Sequence, residues 1–354
     1  MDFFNALERT FTNASIVSAI TSTVFIILIG YAMRKREVFT DMFAKTLTKV
    51  VLSVALPALA FTSFMQPIDP KTLSQSTNVL IWGIVMYVVL IFVMNPFFAM
   101  YKTQGDRQMT LKVLSIFGST TFFGLPIVGA VWGTKGILYG SIFNIGYRIF
   151  LYSYAYIKMS GLKMETSNIK KMFLNPIVIA TFAGLILWLV QGFMPTITVT
   201  DLTGKMQNVA FYRIDLTALW LMKPLTYLSG LASPLAWLAI GSTLGSISFT
   251  KAFSDKTSWY YTFIKIVVVP IINIILLMIL SMTHILPVDQ TALSVIVIMM
   301  ATPPATVAVS YAISFDREAL LASNTSLLAT LGAVVMTPIW IVVLNIIAHT
   351  GLFN

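Results

Sequence analysis

Charged residues, histidine and cysteine are scarce in this sequence. Of its 354 residues 10% are charged, two are histidine and none is cysteine. The lack of cysteine excludes disulfides, thiolate metal sites and cysteine redox chemistry. A soluble domain carries about a quarter charged residues, so the composition argues against one. The sequence also lacks a histidine–carboxylate cluster at metal-ligand spacing, a glycine-rich phosphate loop and a serine-nucleophile motif. We therefore expect no cofactor, no bound metal and no enzymatic activity.

Long apolar runs occupy most of the chain. The residues are 57% hydrophobic and the mean hydropathy is +0.86. A membrane-spanning helix needs about 20 apolar residues, and the runs are too long for the alternating strands of an outer-membrane barrel. We predict an all-α polytopic membrane protein with ten transmembrane helices. The predicted spans are 15–33, 47–65, 78–100, 112–132, 137–158, 175–192, 217–246, 258–282, 292–314 and 322–347.

The distribution of charge predicts the orientation of these spans. Asp2, Glu8 and Arg9 precede the first run in place of a basic leader region, so we expect that run to be kept as a span. Most of the 23 lysines and arginines fall in one set of alternate loops, which the positive-inside rule assigns to the cytoplasm. Both termini are then outside a bacterial inner (plasma) membrane. We interpret the excess positive charge as an anchor on anionic lipid and expect no nucleic-acid partner.

Two predicted spans contain residues that interrupt a helix. Span nine carries "MMATPPATVAVSYA", in which Pro303 and Pro304 lie at mid-span and should break the helix. Span four carries "SIFGSTTFFGLPIVGAVWG", with Gly118, Gly124 and Pro126 near its centre. A further pair of mid-span prolines stands in spans two and seven: Pro57 in "ALPALAF" and Pro234 in "ASPLAWL".

These matched pairs predict two five-span halves. The first repeat would be 1–158, a cytoplasmic linker 159–174, and the second repeat 175–354. Because each half has an odd number of spans, the second would be inverted in the membrane. Inverted repeats with interrupted helices are typical of secondary transporters, in which half-helix N-termini attract a bound anion. The alternative is a set of proline kinks absorbed by neighbouring helices.

One charged residue is predicted deep inside the membrane. All 13 acidic residues fall in loops or at span ends, whereas Arg148 lies about halfway along span five. An isolated arginine there costs at least a few kcal/mol, and its guanidinium matches a carboxylate in bidentate geometry. We predict that Arg148 binds an anionic substrate, with Asn144 one turn before it adding an amide. The alternative is that Arg148 snorkels or bonds freed backbone carbonyls. Lys223 and Lys265, nearer span ends, are expected to snorkel.

Five segments, taken in their order along the chain, are "LIGYAMRKREVFT", "ALPALAF", "GSTTFFGLPIVGA", "ASPLAWLAIGSTLG" and "MATPPATVAVSYA". Together they resemble the auxin efflux carrier family, and the resemblance extends over essentially the whole chain. The short loop between spans five and six is similar to that of bacterial malate permeases. The resemblance implies a scaffold of spans 1, 2, 6 and 7, a transport domain of spans 3–5 and 8–10, and a homodimer. It also implies that spans four and nine cross beside the substrate. The crossover residues would be Thr120, Thr121, Gly124 and Pro126 with Thr302, Pro303, Pro304 and Thr306. The four threonines of this set are expected to bind the substrate together with Arg148 and Asn144.

The expected function is uniport or exchange of small organic acids such as malate or lactate, by elevator-like alternating access. Threonines stand before "FFGLP", where plant auxin exporters tend to carry asparagine–proline chemistry, and this favours a small carboxylate over auxin. The alternatives are a sodium- or proton-coupled organic anion symporter, an exporter of aromatic carboxylates such as auxin, and a receptor that binds without transport. Backbone carbonyls at an unwound helix can hold Na⁺, so sodium coupling stays open.

Overall fold

The computed structural model describes residues 12, 14–161, 173–200, 206–246, 253–348 and 353. Within them, eight helices are long and apolar enough to cross a membrane. This confirms the prediction of a mostly helical, multi-pass membrane protein. Most of the predicted linker, 162–172, lies outside the described residues, and the orientation of the termini stays a prediction. The eight helices are Val17–Lys35, Met42–Thr62, Pro70–Phe97, Thr120–Ser160, Pro176–Phe193, Leu219–Gly245, Lys256–Met282 and Ala319–Ala348.

The structure shows eight long helices among the described residues, whereas ten spans are predicted, and two local features account for the difference. Predicted spans four and five join in one run, Thr120–Ser160. That run leaves helical geometry at Gly133, where φ is 58° and ψ is −145°, within the predicted gap 133–136. Predicted span nine is divided into two short helices, neither long enough to span. The count of ten spans and their arrangement as inverted repeats therefore stay predictions.

The first half of the chain is interrupted by turns of π-helix. Such turns occur at Val51–Ala55, Thr120–Gly124 and Leu151–Ala155, and π-turns inside α-helices are frequent at functional sites. The α-helices here are α1 (Ala14–Lys35), α2 (Asp41–Val50), α3 (Leu56–Thr62), α4 (Pro70–Phe97), α5 (Arg107–Ile116), α6 (Leu125–Phe150) and α7 (Tyr156–Ser160).

The second half contains a small hairpin that the sequence did not predict. Strands β1 (Thr196–Thr200) and β2 (Met206–Ala210) pair antiparallel, with Ile197 opposite Val209, in the polar stretch between predicted spans six and seven. A fourth π-turn is Ile264–Val268. The α-helices are α8 (Pro176–Val190), α9 (Ile214–Thr217), α10 (Leu219–Gly230), α11 (Ala232–Gly245), α12 (Lys256–Phe263), α13 (Val269–Met282), α14 (Gln290–Met300), α15 (Thr306–Ser314) and α16 (Ala319–Ala348).

The helices pack in two groups. Helices α1–α3 pack mainly with α8, α10 and α11, whereas α4 and α6 pack with each other and α14, and α12–α16 pack with one another. Small residues allow the closest approaches, as is usual between membrane helices. A Cβ on Gly241 of α11 would meet the backbone of Ile27 in α1, and one on Gly146 of α6 would meet Gly83 in α4.

Candidate functional site

The two interrupted segments cross and bond to each other through their backbones. The Ser119 N–H donates to the Pro303 carbonyl at 2.7 Å, and the Ala305 N–H donates to the Phe117 carbonyl at 2.8 Å. Gly118 and Pro304 form an antiparallel bridge between these bonds. Backbone groups freed by a broken helix have no water to bond inside a membrane. At this crossover they satisfy one another, which explains how the chain tolerates two adjacent prolines there.

Two glycines make the crossing possible. A Cβ on Gly118 would collide with the Thr302 Oγ1 and lie 3.1 Å from the Lys265 Nζ. A Cβ on Gly124 would lie 2.6 Å from the Met299 Sδ and 3.3 Å from the Thr302 Cγ2. Gly118, Gly124, Thr302, Pro303 and Pro304 thus lie close together where the two interrupted segments meet.

Three other prolines noted in the sequence, Pro57, Pro126 and Pro234, stand near the starts of helices. Pro57 stands in the first turn of α3, directly after a π-turn, and Pro126 in the first turn of α6. Pro234 lies in the first turn of α11, after the break that ends α10. Its neighbour Ser233 donates its hydroxyl to the Pro126 carbonyl at 3.1 Å, so this bond joins predicted spans four and seven.

A cavity of about 120 Å³ adjoins the crossover. Its wall combines residues of both packing groups. Residues of α2, its π-turn and the start of α8 form one side; the other side comes from the two interrupted segments and the end of α6. The lining residues are Thr48, Leu52, Ser119, Thr121, Phe122, Tyr147, Arg148, Leu151, Tyr152, Asn175, Ile177, Ala305, Thr306 and Val307. None of them is acidic.

Arg148 presents the only charged side chain among these lining residues. It is 6% exposed, and neither terminal guanidinium nitrogen has a hydrogen-bond partner among the described residues. A buried charge without a partner is strongly unfavourable, and a freed backbone carbonyl does not satisfy it here. The alternative of bonding to such carbonyls is therefore not what the described residues show.

Two helix N-termini open on the same cavity. The π-turn Thr120–Gly124 begins beside Ser119, and α15 begins at Thr306 beside Ala305. The first N–H groups of a helix have no partner within it, and they carry partial positive charge. The cavity thus combines an unpartnered guanidinium with two helix ends that favour negative charge.

The structure separates the six predicted substrate-binding residues into two sets. Arg148, Thr121 and Thr306 line the cavity. Asn144 is fully buried and its amide has no partner among the described residues, yet it does not reach the cavity wall. Thr120 and Thr302 are also fully buried behind the wall; the Thr302 hydroxyl donates to the Met299 carbonyl at 2.9 Å and caps α14.

A second cavity of about 430 Å³ lies next to the first and shares Thr48 and Thr306 with it. Its wall is basic and hydroxyl-rich, with no acidic residue. The lining residues are Arg34, Thr40, Ala44, Lys45, Thr48, Ser242, Thr243, Ser246 and Thr306. We refer to this set as the basic vestibule. Arg34 and Lys45 belong to the loops and span ends predicted to face the cytoplasm.

The expectation for Lys265 was wrong. Its side chain is fully buried, and its Nζ donates to the Ser115 carbonyl at 2.9 Å instead of snorkelling to an interface. Its position between "WYYTFI" and "IVVVPII" was a signal of depth in the membrane. Thr48 and Asn175 of the cavity wall carried no comparable signal, because only long-range packing brings them to the site. Among the described residues, no group of three or more histidine and acidic side chains could hold a metal.

The sequence is similar to a known protein family and to proteins of two archaea. The sequence pattern of a family described as membrane transport protein matches residues 15–168 and 160–341. An uncharacterized transporter of Methanothermobacter thermautotrophicus is 24% identical over 332 residues, covering 92% of this chain and 97% of the relative. An uncharacterized transporter of Methanocaldococcus jannaschii is 22% identical over 228 residues, covering 62% of this chain and 66% of the relative.

Proposed function

Because the chain belongs to the membrane transport protein family, which includes auxin efflux carrier-type proteins, we propose that it transports small organic carboxylates such as malate or lactate, by uniport or exchange. The observation that carries this proposal is Arg148, a buried guanidinium that faces a cavity and has no partner among the described residues. A carboxylate is the counter-ion that fits it best, because two parallel N–H···O bonds can form.

The surroundings of Arg148 support an anion over a cation or a neutral solute. Two helix N-termini add partial positive charge at the cavity, and Thr121 and Thr306, which line it, carry hydroxyls that can donate hydrogen bonds. No acidic residue lines either cavity. A bound carboxylate would therefore offset the cost of burying Arg148, which is at least a few kcal/mol.

The size of the cavity supports a small substrate. Its volume of about 120 Å³ is roughly ten times the space that one water needs. A carboxylate of a few carbon atoms, such as malate or lactate, fits this space.

The packing of the helices supports alternating access by an elevator-like movement. One packing group, α1–α3 with α8, α10 and α11, corresponds to the scaffold that the resemblance implies, and the other to the transport domain. The cavity wall draws on both groups. We propose that the interrupted segments and Arg148 move together against the scaffold, within ten spans arranged as two inverted repeats. A homodimer in a bacterial inner membrane stays a prediction.

Uptake into proteoliposomes tests this function. Purified protein would be reconstituted in vesicles preloaded with lactate, malate or buffer, and uptake of labelled malate and of labelled lactate measured at a clamped potential. We expect uptake that needs internal carboxylate, or, for uniport, follows the potential alone. Uptake that requires a Na⁺ or proton gradient would instead indicate a symporter, and binding without uptake would indicate a receptor.

Variants of Arg148 connect the activity to the cavity. Hydrogen bonds to a charged group contribute about 1.5–3 kcal/mol, so Arg148→Gln should weaken apparent affinity by about tenfold to a hundredfold. Arg148→Lys keeps the charge but not the bidentate geometry and should give an intermediate loss. Arg36→Gln removes an exposed arginine outside both cavities and is the matched control. Wild-type affinity in Arg148→Gln would contradict the proposed site.

A further inference from the structure

Lys265 is a buried cation that the proposed substrate site does not use. It lies in the π-turn Ile264–Val268 between α12 and α13, and its side chain is fully buried. None of the ion pairs between described residues includes it. It is also absent from the wall of both cavities described above. Its position therefore needs an explanation other than substrate binding or an ordinary salt bridge.

The partner of Lys265 is the end of a broken helix. Helix α5 ends at Ile116 because the chain leaves helical geometry to form the crossover. The last carbonyls of a helix lack partners within it and carry partial negative charge. The Phe117 N–H returns to the Val113 carbonyl at 3.1 Å, and the Lys265 Nζ donates to the Ser115 carbonyl at 2.9 Å.

The ammonium group also lies close to Gly118 of the crossover. A Cβ built on Gly118 would lie 3.1 Å from the Lys265 Nζ and 3.6 Å from its Cε. The second interrupted span is arranged differently, since α14 is capped by a neutral hydroxyl, that of Thr302. Helix α5 thus has a positive charge at its C-terminal end, whereas α14 has none there among the described residues. That charge is part of the protein itself, because it is the side chain of Lys265 in the segment between α12 and α13.

We infer that Lys265 acts as a built-in cation at the crossover, occupying the place that a monovalent metal ion would take at the carbonyl end of α5. Carbonyls of unwound helices coordinate Na⁺ in other transporters. Here a tethered ammonium neutralises that helix end in every step of the cycle. The wild-type crossover is therefore complete without Na⁺, and removal of the ammonium leaves a carbonyl-lined space for a monovalent alkali cation. Lys265 is a positioning residue, because it holds the crossover and does not touch substrate.

The test compares four proteins in chloride salts of Na⁺, Li⁺, K⁺ and N-methyl-D-glucamine at equal ionic strength. Wild type and Lys265→Arg keep the charge, Lys265→Met fills the space without charge, and Lys265→Ala leaves the space empty. The midpoint of thermal unfolding of each purified protein is measured without substrate. We expect only Lys265→Ala to unfold at a higher temperature in a small alkali cation than in N-methyl-D-glucamine.

Uptake provides the second measurement and rests on the proposed function. A charge at a partly buried helix end contributes up to about 2 kcal/mol, so uptake by Lys265→Ala in N-methyl-D-glucamine should fall about tenfold to thirtyfold and recover in an alkali cation. Lys265→Met should lose uptake equally in all salts. If no carboxylate is transported at all, the proposed function fails while the unfolding comparison still decides the role of Lys265.

Three results would overturn the inference. One is a Lys265→Ala protein whose unfolding midpoint is the same in all four salts. Another is a Lys265→Ala protein that is folded in none of them, since the carbonyl end would then be unable to use a free cation. The third is a wild-type protein that Na⁺ stabilises over N-methyl-D-glucamine, because the crossover would then hold a cation in addition to Lys265.

Discussion

Replacing Gly118 by alanine tests the geometry of the crossover most directly. The added methyl would collide with the Thr302 Oγ1 and press on the Lys265 Nζ. Lysine is flexible at its far end and can give way, but Thr302 is fully buried and bonded to the Met299 carbonyl. Overpacking of this kind costs about 1–3 kcal/mol. We expect Gly118→Ala to lower the unfolding midpoint and to reduce uptake.

A double-mutant cycle tests whether the effect of Gly118→Ala arises from collision with the Thr302 side chain. Thr302→Ala alone removes one buried hydrogen bond, a loss of about 0.5–1.5 kcal/mol. In Gly118→Ala with Thr302→Ala, the new methyl occupies the space that the hydroxyl left. The double variant should therefore be more stable than the sum of the two single effects predicts, by more than about 0.5 kcal/mol.

The assay is chemical or thermal unfolding of the four proteins in the same detergent, with uptake as a second measurement. Gly230→Ala is the matched control, since a Cβ there meets nothing within 4 Å and should leave both measurements unchanged. Additivity of the two single variants within about 0.3–0.5 kcal/mol would refute the close contact between Gly118 and Thr302, and with it the geometry described for the crossing.

Two further predictions concern access and stability. Because the chain has no cysteine, Thr48→Cys and Thr243→Cys can be labelled singly; both positions line the second cavity, and Thr243 is exposed. We expect a membrane-impermeant thiol reagent to reach both from the cytoplasmic side and malate to slow the labelling of Thr48→Cys. Phe25→Cys on the exposed apolar face of α1 should not react, and labelling only from the outside would reverse the predicted orientation. Asp289 caps the N-terminus of α14 and pairs with Lys135 at 2.9 Å. Loss of a helix cap costs about 1 kcal/mol, and loss of a part-exposed ion pair costs less. Asp289→Ala should therefore lower the unfolding midpoint more than Lys135→Gln, and equal shifts would count against the capping role.

The sequence alone was sufficient for the class of protein and for the breaks in its helices. Apolar runs of about 20 residues specify membrane helices, because a backbone in lipid must bond to itself. Pro303 and Pro304 marked one interruption, since proline lacks an N–H and clashes with the preceding turn. Gly118 and Gly124 marked the other. These are local effects, and they can be predicted without knowledge of what packs nearby.

Helical spacing was a weaker guide to the site. Asn144 lies one turn before Arg148 and was predicted to share its cavity, yet the wall ends at Tyr147 on that helix. One turn is about 5.4 Å along the axis, which is enough to move a side chain from a cavity into a packed interior. Thr120 and Thr302 were also predicted to bind substrate, yet they are fully buried behind the cavity wall. The crossing of the two segments places them there.

Tertiary structure alone decided which charges are buried and what they meet. The sequence placed Arg148 deep in a span, but that it lacks a partner depends on residues from α2, α8 and both interrupted segments. The Ser115 carbonyl that binds Lys265 is 150 positions away along the chain. Local sequence determines where a helix forms and breaks, because those energies arise within a few residues. Burial and partnering of a charge depend on contacts between distant segments, and only the folded chain specifies them.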